Sequence, residues 1–197
     1  MKKMMLLGAL LLSAAAGFAQ ESRQDVSVSG IGIFTPQVHG NAITQDTSKT
    51  FGFLASYRYM LTPRSALEVN YSFLQNQQYY TTSFLSGNIH QRQQEISGAF
   101  VYGLNFRRYN PFIEAGPGAL VFTPIRDFAS TSFDTKQVFG LGGIFGGGVA
   151  YELSPSFDVR VEYRGFLTKA PAYGLTNFDT KRWEVISLPA VGLAYHF

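Results

Sequence analysis

The feature that most constrains this chain is a two-residue alternation, in which bulky apolar side chains take turns with small or charged ones. Phe51, Phe53, Ala55, Tyr57 and Tyr59 alternate with Gly52, Leu54, Ser56, Arg58 and Met60. Leu67, Val69, Tyr71 and Phe73 alternate with Glu68, Asn70 and Ser72. The same pattern runs through 96–106, 139–153, 157–164 and 183–197. Successive side chains of a strand point to opposite faces, so each segment reads as a strand with one greasy face and one small or charged face. Segments 25–34 and 111–122 are weaker, because glycines blur their phase. Pro117 and Pro189 cannot donate to a ladder, and bulges are expected there. Helix is disfavoured even in the least polar stretch, 138–151, where six of fourteen residues are glycine. The chain is therefore expected to be all-β, with eight strands.

The connections set the topology. Short ones at 62–65, 107–111 and 154–156 carry Pro63, Pro111 and Pro155. Long polar ones at 35–50, 75–94, 123–137 and 168–181 alternate with them. This asymmetry predicts an antiparallel up-and-down barrel with tight turns at one end and large loops at the other. An eight-stranded barrel has an interior just wide enough to be filled by side chains. The small and charged face fits that interior, which leaves the bulky face outside. Only 15% of residues are charged, against about 25% in an ordinary soluble domain. Phe34, Phe51, Phe73, Phe122, Phe139, Phe166 and Trp183 lie near the long-loop ends. Tyr59, Phe106, Tyr109, Phe112, Tyr151, Phe157, Tyr195 and Phe197 lie near the short-turn ends. Two aromatic belts separated by a strand length are what the two interfaces of a bilayer select. The expected fold is an eight-stranded antiparallel up-and-down transmembrane β-barrel, and a soluble lipid-carrying barrel is disfavoured by the facing.

Residues 1–19 read as a signal peptide and 20–197 as the barrel domain. Lys2 and Lys3 precede an apolar run from Met4 to Ala16, and Gly17 and Ala19 place small residues before a cleavage point at Gln20. The run is shorter than the roughly 20 residues a spanning helix needs. Without the two leader lysines, 14 basic residues face 13 acids, so the sequence gives no argument for nucleic-acid binding. With no cysteine, there is no disulfide scaffold, thiolate metal site or cysteine nucleophile.

The last strand ends at Phe197, with Tyr195, Leu193 and Val191 on the same face. In this the sequence resembles the small eight-stranded outer-membrane barrels of the OmpA/OmpX type. The resemblance implies that Val191, Leu193, Tyr195 and Phe197 form the signal read by the barrel-assembly machinery. It implies export through the signal peptide to the outer membrane of a Gram-negative-type bacterium. It also implies outer-membrane lipid and lipopolysaccharide as partners, together with an extracellular partner at the loops. The peptidoglycan-binding domain that often follows such barrels is not expected here.

Some similar barrels are enzymes that act on lipid A, and they need a histidine set beside a serine or an acid. Of His39, His90 and His196, none lies in a His-x-Ser arrangement, and only His39 with Asp46 or Ser48 suggests a pairing. The stretch from Gly140 to Gly146 misses the nucleotide-binding glycine spacing, and no metal-ligand spacing is present. No catalytic residue, metal site or cofactor is expected. The inward face is more informative. By phase it carries Arg58, Glu68, Glu114, Arg160, Glu162 and Arg164, with Glu152, Asp158 and Glu184 nearer the ends. Buried charges must pair, so these residues predict an ionic network in the lumen, either a structural plug or a switchable pore. Tyr59, Leu61, Pro63, Val69 and Tyr71 recur 92 positions later as Tyr151, Leu153, Pro155, Val161 and Tyr163. That offset places Glu68 and Arg160 at one height across the lumen. The expected role is structural or interactive (envelope integrity, adhesion) through four outer loops. Tyr79, Tyr80, Phe84, Leu85, Phe128 and Phe133 are the candidate contact residues. The alternatives are a small ion-conducting pore and a lipid A-modifying enzyme.

Overall fold

The computed structural model describes residues 23–41, 43–82, 86–104, 106, 108–125, 135–175 and 179–197. The expected signal peptide and the loop residues Phe84, Leu85, Phe128 and Phe133 lie outside them. Eight long strands form the barrel: β1 (Gln24–Gly32), β4 (Phe51–Thr62), β5 (Ser65–Thr81), β6 (Ser86–Gly103), β7 (Tyr109–Pro124), β8 (Val138–Ser154), β9 (Phe157–Lys169) and β10 (Trp183–His196). Each pairs antiparallel with its sequence neighbour, and β1 closes the ring against β10, from Asp25 opposite His196 to Ile31 opposite Ala190. Closure leaves no barrel edge unpaired, which is the condition for a sheet to cross a bilayer.

Two short strands, β2 (Val38–Gly40) and β3 (Ile43–Thr47), belong to the first outer connection. Their hairpin turns at Asn41, whose φ of 55° is a conformation asparagine tolerates. It docks by pairing β3 with the top of β5, from Thr44 opposite Thr81 to Thr47 opposite Gln78. The expectation of a long loop at 75–94 is corrected by the same region. β5 continues to Thr81 and β6 starts at Ser86, so the strands run on as a ribbon above the belt. The polar side chains of Gln75–Gln78 and Gln91–Gln94 do not oppose strand pairing, because the ladder hydrogen bonds are made by the backbone.

The expected bulges at Pro117 and Pro189 are also corrected. Pro189 pairs with Tyr163 and Pro117 with Gly143 in unbroken register. An antiparallel strand turns each N–H toward only one neighbour, so a missing donor need not shift the ladder. The register shifts fall instead beside the short turns, between Met60 and Thr62 and between Glu152 and Ser154. At the first of these, Thr62 Oγ1 accepts from the backbone N–H groups of Arg64 (3.2 Å) and Ser65 (3.0 Å).

The facing is inside-out relative to a soluble protein. Val28, Val69, Ile96, Ile113, Leu141 and Val161 are exposed, whereas Ser27, Glu68, Asn70, Glu95, Ser97 and Arg164 are buried. β1 keeps a clean alternation in spite of its glycines, with Asp25, Ser27, Ser29 and Ile31 inward and Val26 and Val28 outward. Three aromatics assigned to the belts turn inward: Phe112, Phe122 and Phe166 are buried. Their even numbers put them in phase with the lumen residues of β7 and β9, and glycine makes room for Phe166. A Cβ at Gly118 or Gly142 would stand 2.7 or 2.6 Å from its ring. The glycine-rich β8 is thus the counterpart of a bulky neighbour inside the barrel. On the outward face the reverse holds at Gly165, where a Cβ would stand 2.4 Å from the Phe145 ring.

Candidate functional site

The lumen is filled in three storeys. The lowest is ionic, and the alternation of β4, β5, β7 and β9 delivers all six expected residues to it. Arg58, Glu68, Glu114, Arg160, Glu162 and Arg164 are all buried. Arg58 Nε donates to Glu68 Oε2 at 2.7 Å across the β4–β5 ladder, where the two residues are direct partners. The Arg58 guanidinium also lies 4.8 Å from the centre of the Phe112 ring. Arg164 serves two carboxylates, Glu95 at 3.3 Å and Glu114 at 3.2 Å. Glu95 in turn accepts from the hydroxyls of Ser72 (3.2 Å) and Ser97 (2.7 Å). Glycines open the space: a Cβ at Gly146 would meet Glu114 Oε1 at 3.1 Å, and one at Gly148 would meet Glu162 Cβ at 2.7 Å.

Glu68 and Arg160, expected at one height across the lumen, take different direct partners. Arg160 pairs with Asp25 at 2.7 Å, while Glu68 is taken by Arg58. Closure pairs the start of β1 with the end of β10, and Arg160 of β9 reaches Asp25 across β10, which a repeat offset does not register. Asp25 and Glu95 are therefore network members that the sequence reading missed. The parity signal was present in both cases: Asp25 alternates with Val26, and Glu95 shares the phase of Ser97. At the short-turn mouth, His196 Nε2 lies 2.8 Å from Asp158 Oδ2, and its Nδ1 lies 4.0 Å from Asp25 Oδ2. A pocket of about 320 Å³ opens there, with Asp25, Arg58, Asp158, Arg160 and His196 in its wall.

The middle storey is apolar. Ile31, Leu54, Leu74, Leu120, Phe166 and Ile186 meet inside the barrel, each 2% exposed or less. Above it lies a polar storey that the sequence reading assigned to loops. Gln45 Nε2 donates to Gln78 Oε1 (3.0 Å), and Gln91 Nε2 donates to Asn76 Oδ1 (2.8 Å). The Tyr80 hydroxyl lies 2.6 Å from Gln78 Oε1 and 2.8 Å from the Pro171 carbonyl. Tyr173, from the last outer connection, turns inward, and its hydroxyl donates to Gln91 Oε1. Its ring meets that of Tyr80 edge to face at 6.3 Å. Tyr80, expected among the outer contact residues, is thus buried as part of a lid, while Tyr79 remains exposed. The even parity of Asn76, Gln78 and Tyr80 continues that of Glu68, Asn70 and Ser72, which is the signal that could have placed them inside.

The histidines do not assemble the one pairing the sequence suggested. The His39 Nδ1 sits 3.1 Å from Thr44 Oγ1. Asp46 accepts from Gln37 (3.0 Å), and the Ser48 hydroxyl accepts from the backbone of Gln77 (2.8 Å).

The family of outer membrane protein beta-barrel domains matches residues 4–197. The chain belongs to that family. Solved structures agree on the fold. The outer membrane protein OprG from Pseudomonas aeruginosa is 12% identical, with a TM-score of 0.60 over 91% of this chain and 98% of that one. Neisserial surface protein A is 16% identical, with a TM-score of 0.57 over 89% and 98%. The outer membrane protein AlkL, studied in lipid bilayers, is 17% identical, with a TM-score of 0.52 over 92% and 94%. No curated protein sequence matches this chain. The eight-stranded barrel is accordingly an outer-membrane one, with the bulky face toward lipid.

Proposed function

We propose that the barrel is a surface protein that acts by what it presents outside the membrane, in envelope integrity or adhesion, and not by what it conducts. One observation carries this reading. The lumen is closed at its middle by Ile31, Leu54, Leu74, Leu120, Phe166 and Ile186, with a polar lid above and an ionic layer below. An ion would have to cross an apolar layer without a hydration shell, which is strongly unfavourable. The strands meanwhile project a ribbon and a docked hairpin outward, where exposed Tyr79 and the β2–β3 turn are available for contact. The name of the similar Neisserial surface protein A fits the same role. Residues 1–19 act as the export signal in this reading. Val191, Leu193, Tyr195 and Phe197 act as the assembly signal, displayed on the lipid face of β10 with Tyr195 and Phe197 stacked at 6.0 Å.

Planar-bilayer recording of the refolded protein tests the proposal. Currents should stay at the lipid baseline at neutral pH for native protein. Reproducible unitary steps from native protein would overturn it and put the ion-conducting pore first.

A further inference from the structure

One buried carboxylate of the lumen stands apart from the ionic storey. Glu184, on the inward face of β10, is 4% exposed, and neither of its carboxylate oxygens has a hydrogen-bond partner. Glu68, Glu95 and Glu114 each have an arginine within 3.3 Å, whereas no lysine or arginine of the described residues pairs with Glu184. Lys169 and Arg182, the basic residues beside it in ladder and sequence, are exposed. What Glu184 faces follows from the stagger of the barrel. Ladder partners followed round the ring run from Glu184 through Thr168, Gly142, Gly118, Ser97, Asn70, Ser56 and Ser27 to Ala194. The circuit returns to β10 ten residues further down, at 194 instead of 184. Half a circuit therefore descends by about five residues. The wall opposite Glu184 is then not Ser97 but the part of β6 that carries the inward Gln91 and Gln93. Gln91 is satisfied by Asn76 and Tyr173, but neither end of the buried Gln93 amide has a partner.

Eight strands about 4.8 Å apart and tilted by about 40° make a ring roughly 16 Å across. Side chains as long as those of Glu184 and Gln93 nearly meet at its axis and leave a gap the size of an ion. Thr168, the ladder partner of Glu184, donates its hydroxyl proton to the Leu141 carbonyl at 3.2 Å, so its lone pairs stay free. Above, the Tyr80 and Tyr173 rings meet edge to face at 6.3 Å, and below, Phe166 and Ile186 are buried in the apolar layer. A charge enclosed in this way requires a counter-charge. Oxygen donors alone suit a hard metal cation. The charge count sets its valence: Glu184 is the single carboxylate at this height, so a monovalent ion balances it and a divalent one leaves a buried excess. We infer that Glu184, Gln93 and Thr168 hold a monovalent alkali-metal cation between them beneath the tyrosine lid. The ion enters from the outer mouth when the lid parts, and it neutralises the carboxylate that otherwise opposes closure. The apolar layer beneath stops it there, so it is bound without being conducted.

The probe is sodium. The full chain is reconstituted in liposomes, and urea unfolding is followed at mildly alkaline pH in mixtures of sodium chloride and choline chloride. Total ionic strength is held constant, so screening does not change, and choline is too large for the gap. Above the dissociation constant, a single site raises the folded-to-unfolded ratio about tenfold for each tenfold rise in sodium. Glu184→Gln should abolish that dependence, because the amide carries no charge to balance. Gln93→Leu removes an oxygen donor without breaking any hydrogen bond, and it should shift the dependence to higher sodium while the barrel still forms. Should Glu184→Gln fail to fold, sodium-23 line broadening decides: native protein should broaden the line, and the Gln93→Leu chain should broaden it less. Native stability indifferent to sodium, or a Glu184→Gln chain as sodium-dependent as the native one, would overturn the site. So would calcium acting at far lower concentration than sodium, which would mark a divalent site. A stability that follows pH and not sodium would also overturn it, since Glu184 would then take a proton in place of the ion.

Discussion

Replacing Arg164 with alanine should destabilise the barrel by about 3–5 kcal/mol, the cost expected when a buried ion pair loses one partner. Arg164 is the residue most depended upon in the lumen, because Glu95 and Glu114 lie 3.3 and 3.2 Å from its guanidinium and both are buried. Removing it leaves two carboxylates together without their cation, whereas removing Arg58 strands only Glu68. The same chain with Glu95→Gln and Glu114→Gln added should recover much of the loss, since neutral amides do not need the guanidinium. Urea unfolding in liposomes measures both variants. A loss under about 1 kcal/mol, or a triple variant no better than the single one, would show that these groups are not coupled.

Placing arginine at Ile96 should cost about 2–4 kcal/mol, while the same change at Leu153 should cost about 0–1 kcal/mol. Both positions are exposed and face outward, and they differ in depth. Ile96 lies on β6 between Tyr102 of the lower belt and Arg92 near the upper one, whereas Leu153 adjoins a short turn. In water, two exposed sites would tolerate arginine alike. A difference in their unfolding free energies in liposomes therefore reports lipid contact itself. Equal costs would mean that the bulky face does not meet a bilayer interior.

Period two made the strands legible, because a side chain's parity decides its face and the face decides its environment. The six strong segments all form strands in the structure, although that of 96–106 ends at Gly103, and the inward phase of Arg58, Glu68, Arg160, Glu162 and Arg164 follows from the alternation, as does that of Glu114 on the weaker segment 111–122. Parity does not specify distance across the barrel. The pairing of Asp25 with Arg160 depends on how the first strand is staggered against the ninth, which is a property of closure. Polarity also misled where the environment changes along one strand. Gln78, Tyr80 and Gln91 look like loop residues, yet above the belt the ribbon turns them inward to bond one another. Phe166 looked like a belt aromatic because of its position near a loop, but its space is supplied by glycines on two neighbouring strands, which no local reading joins.

The central claim is that small and charged residues face a filled lumen while bulky ones face lipid. Because the chain has no cysteine, single cysteines can be introduced cleanly for spin labelling. The most direct measurement places labels at Val26, Ser27, Val28 and Ser29 of β1, the strand whose glycines obscure its phase, in protein reconstituted into liposomes. Oxygen concentrates in the bilayer interior and relaxes a label that meets lipid. The account predicts high oxygen collision rates at 26 and 28, and low rates with immobilised spectra at 27 and 29. The opposite alternation, or equal accessibility to a water-soluble relaxing agent at all four positions, would contradict it.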